Sequence, residues 1–294
     1  MAHLLHDSEY LFGLKRLNCL EIYKLTIGDE IYETLLPLKW AHQCNMIDID
    51  IILSVAEYGH LERLTYLYER GYLKERLTQV YTGIVDNGHL NCLKYLHNIT
   101  SGGCTVSALS IEAAGSGHLD CLTYIYEQNF DMDWRRSLRA AAYSGHLDCL
   151  QYLYEQDGYC DEEIMENAAS GNQLDCVKYL HEQGCPWDEF TCREAAESGS
   201  LDVLKYLHEE GCLWDWRTCS SAARNGHLDC LRYAHENDCL WNWRTCLAAA
   251  AGGHLSCLIY AHEEGCPWDE LACKDVAIEY NRDRCLQYIM DADR

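Results

Sequence analysis

Basic side chains are scarce in this sequence: 23 Lys and Arg stand against 47 Asp and Glu, a formal net charge of −24. Binding to a phosphate backbone draws on clustered Lys and Arg, so no nucleic acid is expected as partner, and an anionic membrane surface is disfavoured for the same reason. Long apolar runs are lacking too. Nowhere do about 18 apolar residues follow one another, as a membrane-spanning helix needs, and the stretch from Met1 to Lys15 carries Asp7 and Glu9 inside its apolar part, unlike a secretory signal. No Cys-x-x-Cys pair, phosphate-binding loop, nucleophile elbow or metalloprotease motif occurs. The expectation is a protein that is not an enzyme, with no catalytic residues, no cofactor and no metal site.

What is present suffices for a core: 48% of the 294 residues are hydrophobic and 24% charged, the balance of a folded protein. Nineteen cysteines would suggest a disulfide framework in a small secreted chain, but this chain is long and the number is odd. They are expected in a reducing compartment, the cytoplasm or the nucleus. The excess of carboxylates is expected to serve solubility and helix capping first. It would also speed encounter with a partner that has a basic surface.

Aligned on itself, the chain shows a recurring unit, clearest as Gly226-His227-Leu228-Asp229-Cys230-Leu231-Arg232-Tyr233. The landmark glycine falls at Gly59, Gly88, Gly117, Gly145, Gly199, Gly226 and Gly253, with Asn172 and Asn281 in the two remaining slots, at spacings of 27 to 29 residues. Asn is the residue after Gly that best tolerates a left-handed backbone, so each landmark predicts a tight turn that ends a helix. Twelve residues on comes a second landmark at Gly71, Thr100, Asn129, Asp157, Gly184, Gly211, Asp238 and Gly265. Two turns per unit imply two helices per unit. Asp133, Asp161, Asp188, Asp215, Asn242 and Asp269 stand where the first helix should be capped, and pairs such as Ala195-Ala196 and Ala249-Ala250 suit close approach of neighbouring first helices. In the second helix, Tyr recurs seven residues after every landmark, from Tyr66 to Tyr288, within an amphipathic pattern that needs neighbours on both sides.

The string Ala195-Ala196-Glu197-Ser198-Gly199-Ser200-Leu201-Asp202-Val203-Leu204-Lys205-Tyr206-Leu207-His208-Glu209-Glu210-Gly211 resembles the ankyrin repeat, whose helix-turn-helix core runs from paired alanines to a closing glycine. The resemblance implies an all-α, ankyrin-like helical repeat solenoid over residues 48–294, about nine units with the last as a C-terminal cap. Ankyrin repeats run to about 33 residues and include a β-hairpin finger; the shorter period here predicts fingers that are shortened or absent. With Gly-His-Leu-Asp-Cys-Leu and Gly-Cys-Pro-Trp-Asp, the repeat is similar to those of ankyrin proteins encoded by giant DNA viruses of amoebae, which would place it in the host cytoplasm. Residues 1–47 fit the period poorly and are expected to form a capping helix and a degenerate repeat. Pro37 in Leu35-Leu36-Pro37-Leu38 is a thin echo of an F-box, which leaves open a substrate receptor of a ubiquitin ligase.

Cysteine recurs in three slots, and His181, His208, His235 and His262 each precede a connector Cys by four residues. A metal ladder is conceivable, but the missing Cys-x-x-Cys pairs favour thiols acting as small core hydrophobes. Twelve of the fourteen histidines are repeat residues, which points to structure rather than catalysis. Trp187, Trp214, Trp241 and Trp268 recur every 27 residues and are expected to form a buried ladder under the connectors. By contrast Trp134-Arg135, Trp216-Arg217 and Trp243-Arg244 follow the first-helix cap where other units carry Glu162-Glu163, Glu189-Phe190 and Glu270-Leu271. Trp and Arg are the side chains most enriched in interface hot spots. In ankyrin folds the first helices line the concave face, so Trp134, Arg135, Phe190, Trp216, Arg217, Trp243 and Arg244 are the candidate partner-binding residues, as a discontinuous aromatic and basic stripe on an acidic body. The alternative is Trp packed on the next connector with Arg shielding local carboxylates. Three functions are open: a protein-protein interaction module or adaptor using the helix-one and connector face, the ligase receptor, and a structural virion component.

Overall fold

A computed structural model describes residues 36–43, 47–100 and 107–292. The fold is all-α, a helical repeat solenoid with no strand among the described residues. The chain gathers into two compact units, residues 1–133 and 134–294. The first holds α1 (Leu36–Gln43), α2 (Ile49–Glu57), α3 (Leu61–Glu69), α4 (Leu77–Asp86), α5 (Leu90–Ile99), α6 (Ala108–Gly115) and α7 (Leu119–Glu127). The second holds α8 (Trp134–Ser144), α9 (Leu147–Asp157), α10 (Glu162–Ser170), α11 (Leu174–Glu182), α12 (Glu189–Ser198), α13 (Leu201–Glu209), α14 (Trp216–Asn225), α15 (Leu228–Glu236), α16 (Trp243–Gly252), α17 (Leu255–Glu263), α18 (Glu270–Glu279) and α19 (Asp283–Ala292). Pro37 stands in the first turn of α1. Residues 1–35, on which most of the capping expectation and the ligase alternative depend, lie outside the described residues. No helix is long and apolar enough to cross a membrane among the described residues.

All nine landmarks have positive φ, Asn172 and Asn281 included, at 59° and 54°. Left-handed geometry is only half of what the glycine supplies. A Cβ on Gly226 would lie 2.4 Å from Nδ1 of His254, and one on Gly59 equally close to the His89 ring. At Gly59, Gly88, Gly199 and Gly226 the landmark histidine of the following unit occupies that space, from which it can bond the preceding helix end: His89 Nε2 donates to the Glu57 carbonyl (2.7 Å) and His118 Nε2 to that of Asp86 (3.0 Å). Where Gln173 or Arg282 follows the landmark, the donor changes and the bond stays, whereas Ser200 pairs with the Ser198 hydroxyl instead. Gln173 Nε2 donates to the Tyr143 carbonyl and Arg282 Nε to that of Ala251, at 3.3 and 2.9 Å. Each of these carbonyls belongs to the last turn of a first helix, where backbone acceptors run out of partners within the helix.

The second landmark is less uniform. Gly71, Asn129, Gly184, Gly211, Asp238 and Gly265 have positive φ, but Asp157 ends α9 as a helical residue and Gly158 takes the left-handed position instead. Thr100 closes α5 with an ordinary φ of −90°. At the start of the first helices, Asp161, Asp188, Asp215, Asn242 and Asp269 each accept a backbone N–H from the first turn, as does Asp48 ahead of α2. Such a cap is worth about 1 kcal/mol.

Within each unit the first helices pack more extensively on one another than the second helices do, because the alanine pairs between them are fully buried and let backbones approach. The second helices are joined by side chains. Where a second helix ends in histidine, that residue shares a hydrogen bond with the repeat Tyr of the next unit: His97 Nδ1 with Tyr124 Oη, His181 with Tyr206, His208 with Tyr233, His235 with Tyr260 and His262 with Tyr288, at 2.8–3.1 Å. The connector tryptophan stacks on the same imidazole, Trp214 on His208 at 4.0 Å and Trp241 on His235 at 3.7 Å. The tryptophans are half-buried rather than buried, since a connector such as residues 210–215 carries no finger to cover their outer face. The polar residue before each repeat Tyr also has a place, Lys205 above the Tyr233 ring at 5.9 Å and Arg232 above Tyr260 at 5.2 Å.

The cysteines fill the three slots as core residues, and fourteen of those described are free and buried. The exception is a disulfide between Cys160 and Cys185, with Cα atoms 5.6 Å apart. In later units the connector thiol donates instead to the carbonyl of the preceding cap residue, Cys212 to Asp188, Cys239 to Asp215 and Cys266 to Asn242, each at 3.2 Å. Cys160 stands in the slot that Trp187, Trp214, Trp241 and Trp268 hold elsewhere, so one unit exchanges an aromatic contact for a covalent one.

Gly211 has a φ of 86° and nothing within 4 Å of a would-be Cβ, so Gly211→Ala should cost about 1–2 kcal/mol for its backbone alone. Gly226→Ala should cost more, because His254 must also move; equal denaturation midpoints for the two variants would contradict this. The disulfide closes a loop across a 25-residue separation, worth about 3 kcal/mol by loop entropy. Oxidised protein should therefore outlast reduced protein in denaturant, and Cys160→Ser should abolish the difference.

Candidate functional site

The first-helix caps fix where the candidate residues project. Asp215 and Asn242 accept N–H bonds from Arg217 and Arg244 at 2.8 and 2.9 Å, so Trp216 and Trp243 become the first residues of α14 and α16. These two helices are packed side by side. The Arg244 guanidinium lies 5.1 Å from the Trp216 ring centre and 5.2 Å from that of Trp243, bridging the two indoles, while that of Arg217 lies 5.2 Å from Trp216. Arg217 also pairs with Asp215 at 2.5 Å. Trp243 is 40% exposed, high for an indole. With Arg193, Arg224, Leu247 and Tyr280 these side chains line an open groove of about 710 Å³. Glu197 is the one carboxylate in its lining.

Burial pushes Cys92, Cys176, Cys230 and Cys257 up to about 11 and Cys121 and Cys273 up to about 12, the reverse of what a nucleophilic cysteine requires. Cys192, Cys219 and Cys246 are raised further, first by hydrogen bonds to Cys212, Cys239 and Cys266 and then by burial. No group of three His, Cys, Asp or Glu side chains is placed to hold a metal ion among the described residues.

Of the seven candidate residues, the structure brings Trp216, Arg217, Trp243 and Arg244 together in the groove. Phe190, 36% exposed at the start of α12, is linked to it through Arg193, whose guanidinium lies 4.7 Å above the Phe190 ring. Trp134 and Arg135 are separate. They open α8, where Arg135 covers the Tyr159 ring at 4.3 Å, and α10 intervenes with Glu162, Glu163 and Glu166. Arg139 of α8 is occupied by Asp161 and Glu163. The discontinuity of the stripe thus falls at α10 and its carboxylates. The groove also includes Arg193 and Arg224, which the sequence reading passed over. Arg224 occupies the slot of Glu197 and Ala251, two residues before the landmark, and this variation between units is the signal that would have found it.

Glu166 lies among like charges. Burial first, then Asp188 and Glu194, raise its carboxyl above the usual range, with Arg193 opposing. A folded-state value above the unfolded one means that the protonated form is favoured by folding, so stability from this group is full in acid and is lost as pH rises through the raised value. Glu166→Gln should therefore raise the melting temperature at pH 7 and gain progressively less towards pH 4. A variant less stable than the parent at pH 7 would contradict this.

A family model of ankyrin repeats, in three copies, matches residues 82–164 and again 112–193. Among solved structures, the ankyrin repeat domain of human ASB11 is similar at 20% identity and a TM-score of 0.44, over 53% of this chain and 83% of that one. No curated protein matches the chain. Residues 82–193 of this chain are accordingly similar to ankyrin repeats.

Proposed function

We propose that this chain is a non-enzymatic interaction module that binds a partner protein through the first-helix face of residues 134–294, with Trp216, Arg217, Trp243 and Arg244 at the centre and Phe190 beside them. Ankyrin repeats are generally protein-protein interaction modules. The observation that carries the choice of face is the groove between α14 and α16, where two indoles and four guanidinium groups gather on an otherwise acidic chain. Packing does not demand them: the slot of Trp216 is filled by Glu189 in α12 and by Glu270 in α18. Partly exposed aromatic rings in fixed positions supply contact area at little entropic cost. Trp134 and Arg135 would form a second, separate contact point. The expected setting is the cytoplasm or the nucleus, of an infected host if the repeats share the viral origin they resemble, although the Cys160–Cys185 disulfide runs against a reducing compartment.

Affinity purification from the native cell followed by mass spectrometry identifies the partner, and Trp216→Ala with Trp243→Ala tests the face. Truncating both should weaken binding by about 2 kcal/mol or more, roughly 30-fold, with the far-ultraviolet circular dichroism unchanged. Retained affinity, or a collapse of helicity, would count against the proposal.

A further inference from the structure

We infer that the segment seated in the α14–α16 groove is acidic and extended, presenting two or more carboxylates to Arg224 and Arg244. The inference rests on the first-helix face being the binding face and adds the chemistry of its occupant. It runs against the net charge. A chain at −24 suggests a basic partner, but at physiological ionic strength charges separated by more than about 8 Å are largely screened. What a bound segment meets is therefore the groove itself. There four arginines face a single carboxylate, Glu197, in a chain whose acids outnumber its bases by 47 to 23.

The four arginines are not equivalent. Arg193 donates to Glu194 at 2.7 Å and Arg217 to Asp215 at 2.5 Å, whereas Arg224 and Arg244 meet no carboxylate among the described residues. Arg224 is exposed in the last turn of α14, and Arg244 is exposed in the first turn of α16. A guanidinium presents a planar fork of donors that matches a carboxylate in bidentate fashion. The face of Arg244 already rests on two indoles, which orients it before a ligand arrives and lessens the ordering cost of binding. Trp243, Leu247 and Tyr280 offer apolar surface beside these cations for side chains flanking the acids.

The surroundings select a peptide over a nucleic acid. A polynucleotide needs a basic track that follows its backbone, and the groove has no continuation of that kind. On one side α10 carries Glu162, Glu163 and Glu166. On the other, Lys274 of α18 is paired with Glu270 at 2.6 Å. The lysines of the second helices, Lys178 and Lys205, lie over tyrosine rings. Positive charge is local to α12, α14 and α16, the extent of a short acidic segment.

Selection of displayed random dodecapeptides on the full chain at about 0.15 M salt tests this without knowledge of the partner. Bound peptides should be enriched in Asp and Glu, the enrichment should vanish on the Arg224→Gln, Arg244→Gln variant, and a selected acidic peptide should bind that variant about tenfold or more weakly, as expected for charged hydrogen bonds lost. Binding should also fail on the Trp216→Ala, Trp243→Ala variant. A neutral or basic pool that still depends on the two tryptophans overturns this inference and leaves the binding face standing. A pool indifferent to the tryptophans, or no pool, overturns both. A single-stranded RNA dodecamer that quenches tryptophan fluorescence as tightly as the best peptide would also overturn it.

Discussion

The structure depends on one constraint repeated along the chain: the backbone at the end of each first helix must turn left-handed, and the space where a Cβ would stand must remain free for the next unit. Gly226 shows both halves, with a φ of 82° and His254 Nδ1 filling the place of the missing side chain. The turn alone would tolerate Asn, as Asn172 and Asn281 demonstrate. It is the donor from the following unit, reaching the carbonyl two residues before the landmark, that makes glycine the more frequent solution. Local backbone geometry and the contact between neighbours are therefore set by the same atoms, and a unit that fails to turn also fails to stack.

From that constraint comes a division of labour between the two helices. Second helices are committed on both sides, by imidazole, indole and phenol groups that run from one unit to the next. First helices are committed through their alanine pairs and their caps, which leaves the positions just after each cap and two before each landmark open to variation. Those positions hold carboxylates in α10 and a mixture in α12, and in α14 and α16 they hold the indoles and guanidinium groups of the groove. The functional surface thus uses residues that the stack does not need.

Much of this was legible in the sequence because a repeat reports its own structural requirements. The landmark spacing gave both turns and both helices, and the recurrence of Asp188, Asp215 and Asn242 gave the caps that place Trp216 and Trp243. What escaped were relations between units. The bond from His208 to Tyr233 and the stacking of Trp214 on the same ring join residues that look independent in one unit, so the tryptophans read as a buried ladder when they are half-covered. The shift from Asp157 to Gly158 escaped because both residues accept a left-handed turn. The gap in the stripe was legible, since Glu162-Glu163 stand in the slot that Trp134-Arg135 and Trp216-Arg217 hold in other units. Cys160 falls in none of the three recurring cysteine slots, and only the approach of Cys185 from the next unit reveals the pair.

The contact between histidine and tyrosine has a consequence for how such a chain changes over generations. His208 to Tyr233 and His235 to Tyr260 are the same bond displaced by one unit of 27 residues, so removing or copying a whole period rejoins identical partners across the cut, whatever point in the unit the cut falls. A gain or loss of a few residues would instead set an imidazole against the wrong neighbour. Length can therefore vary in whole units while each junction stays the same, and the variable positions of the first helices are carried along as interchangeable blocks of surface.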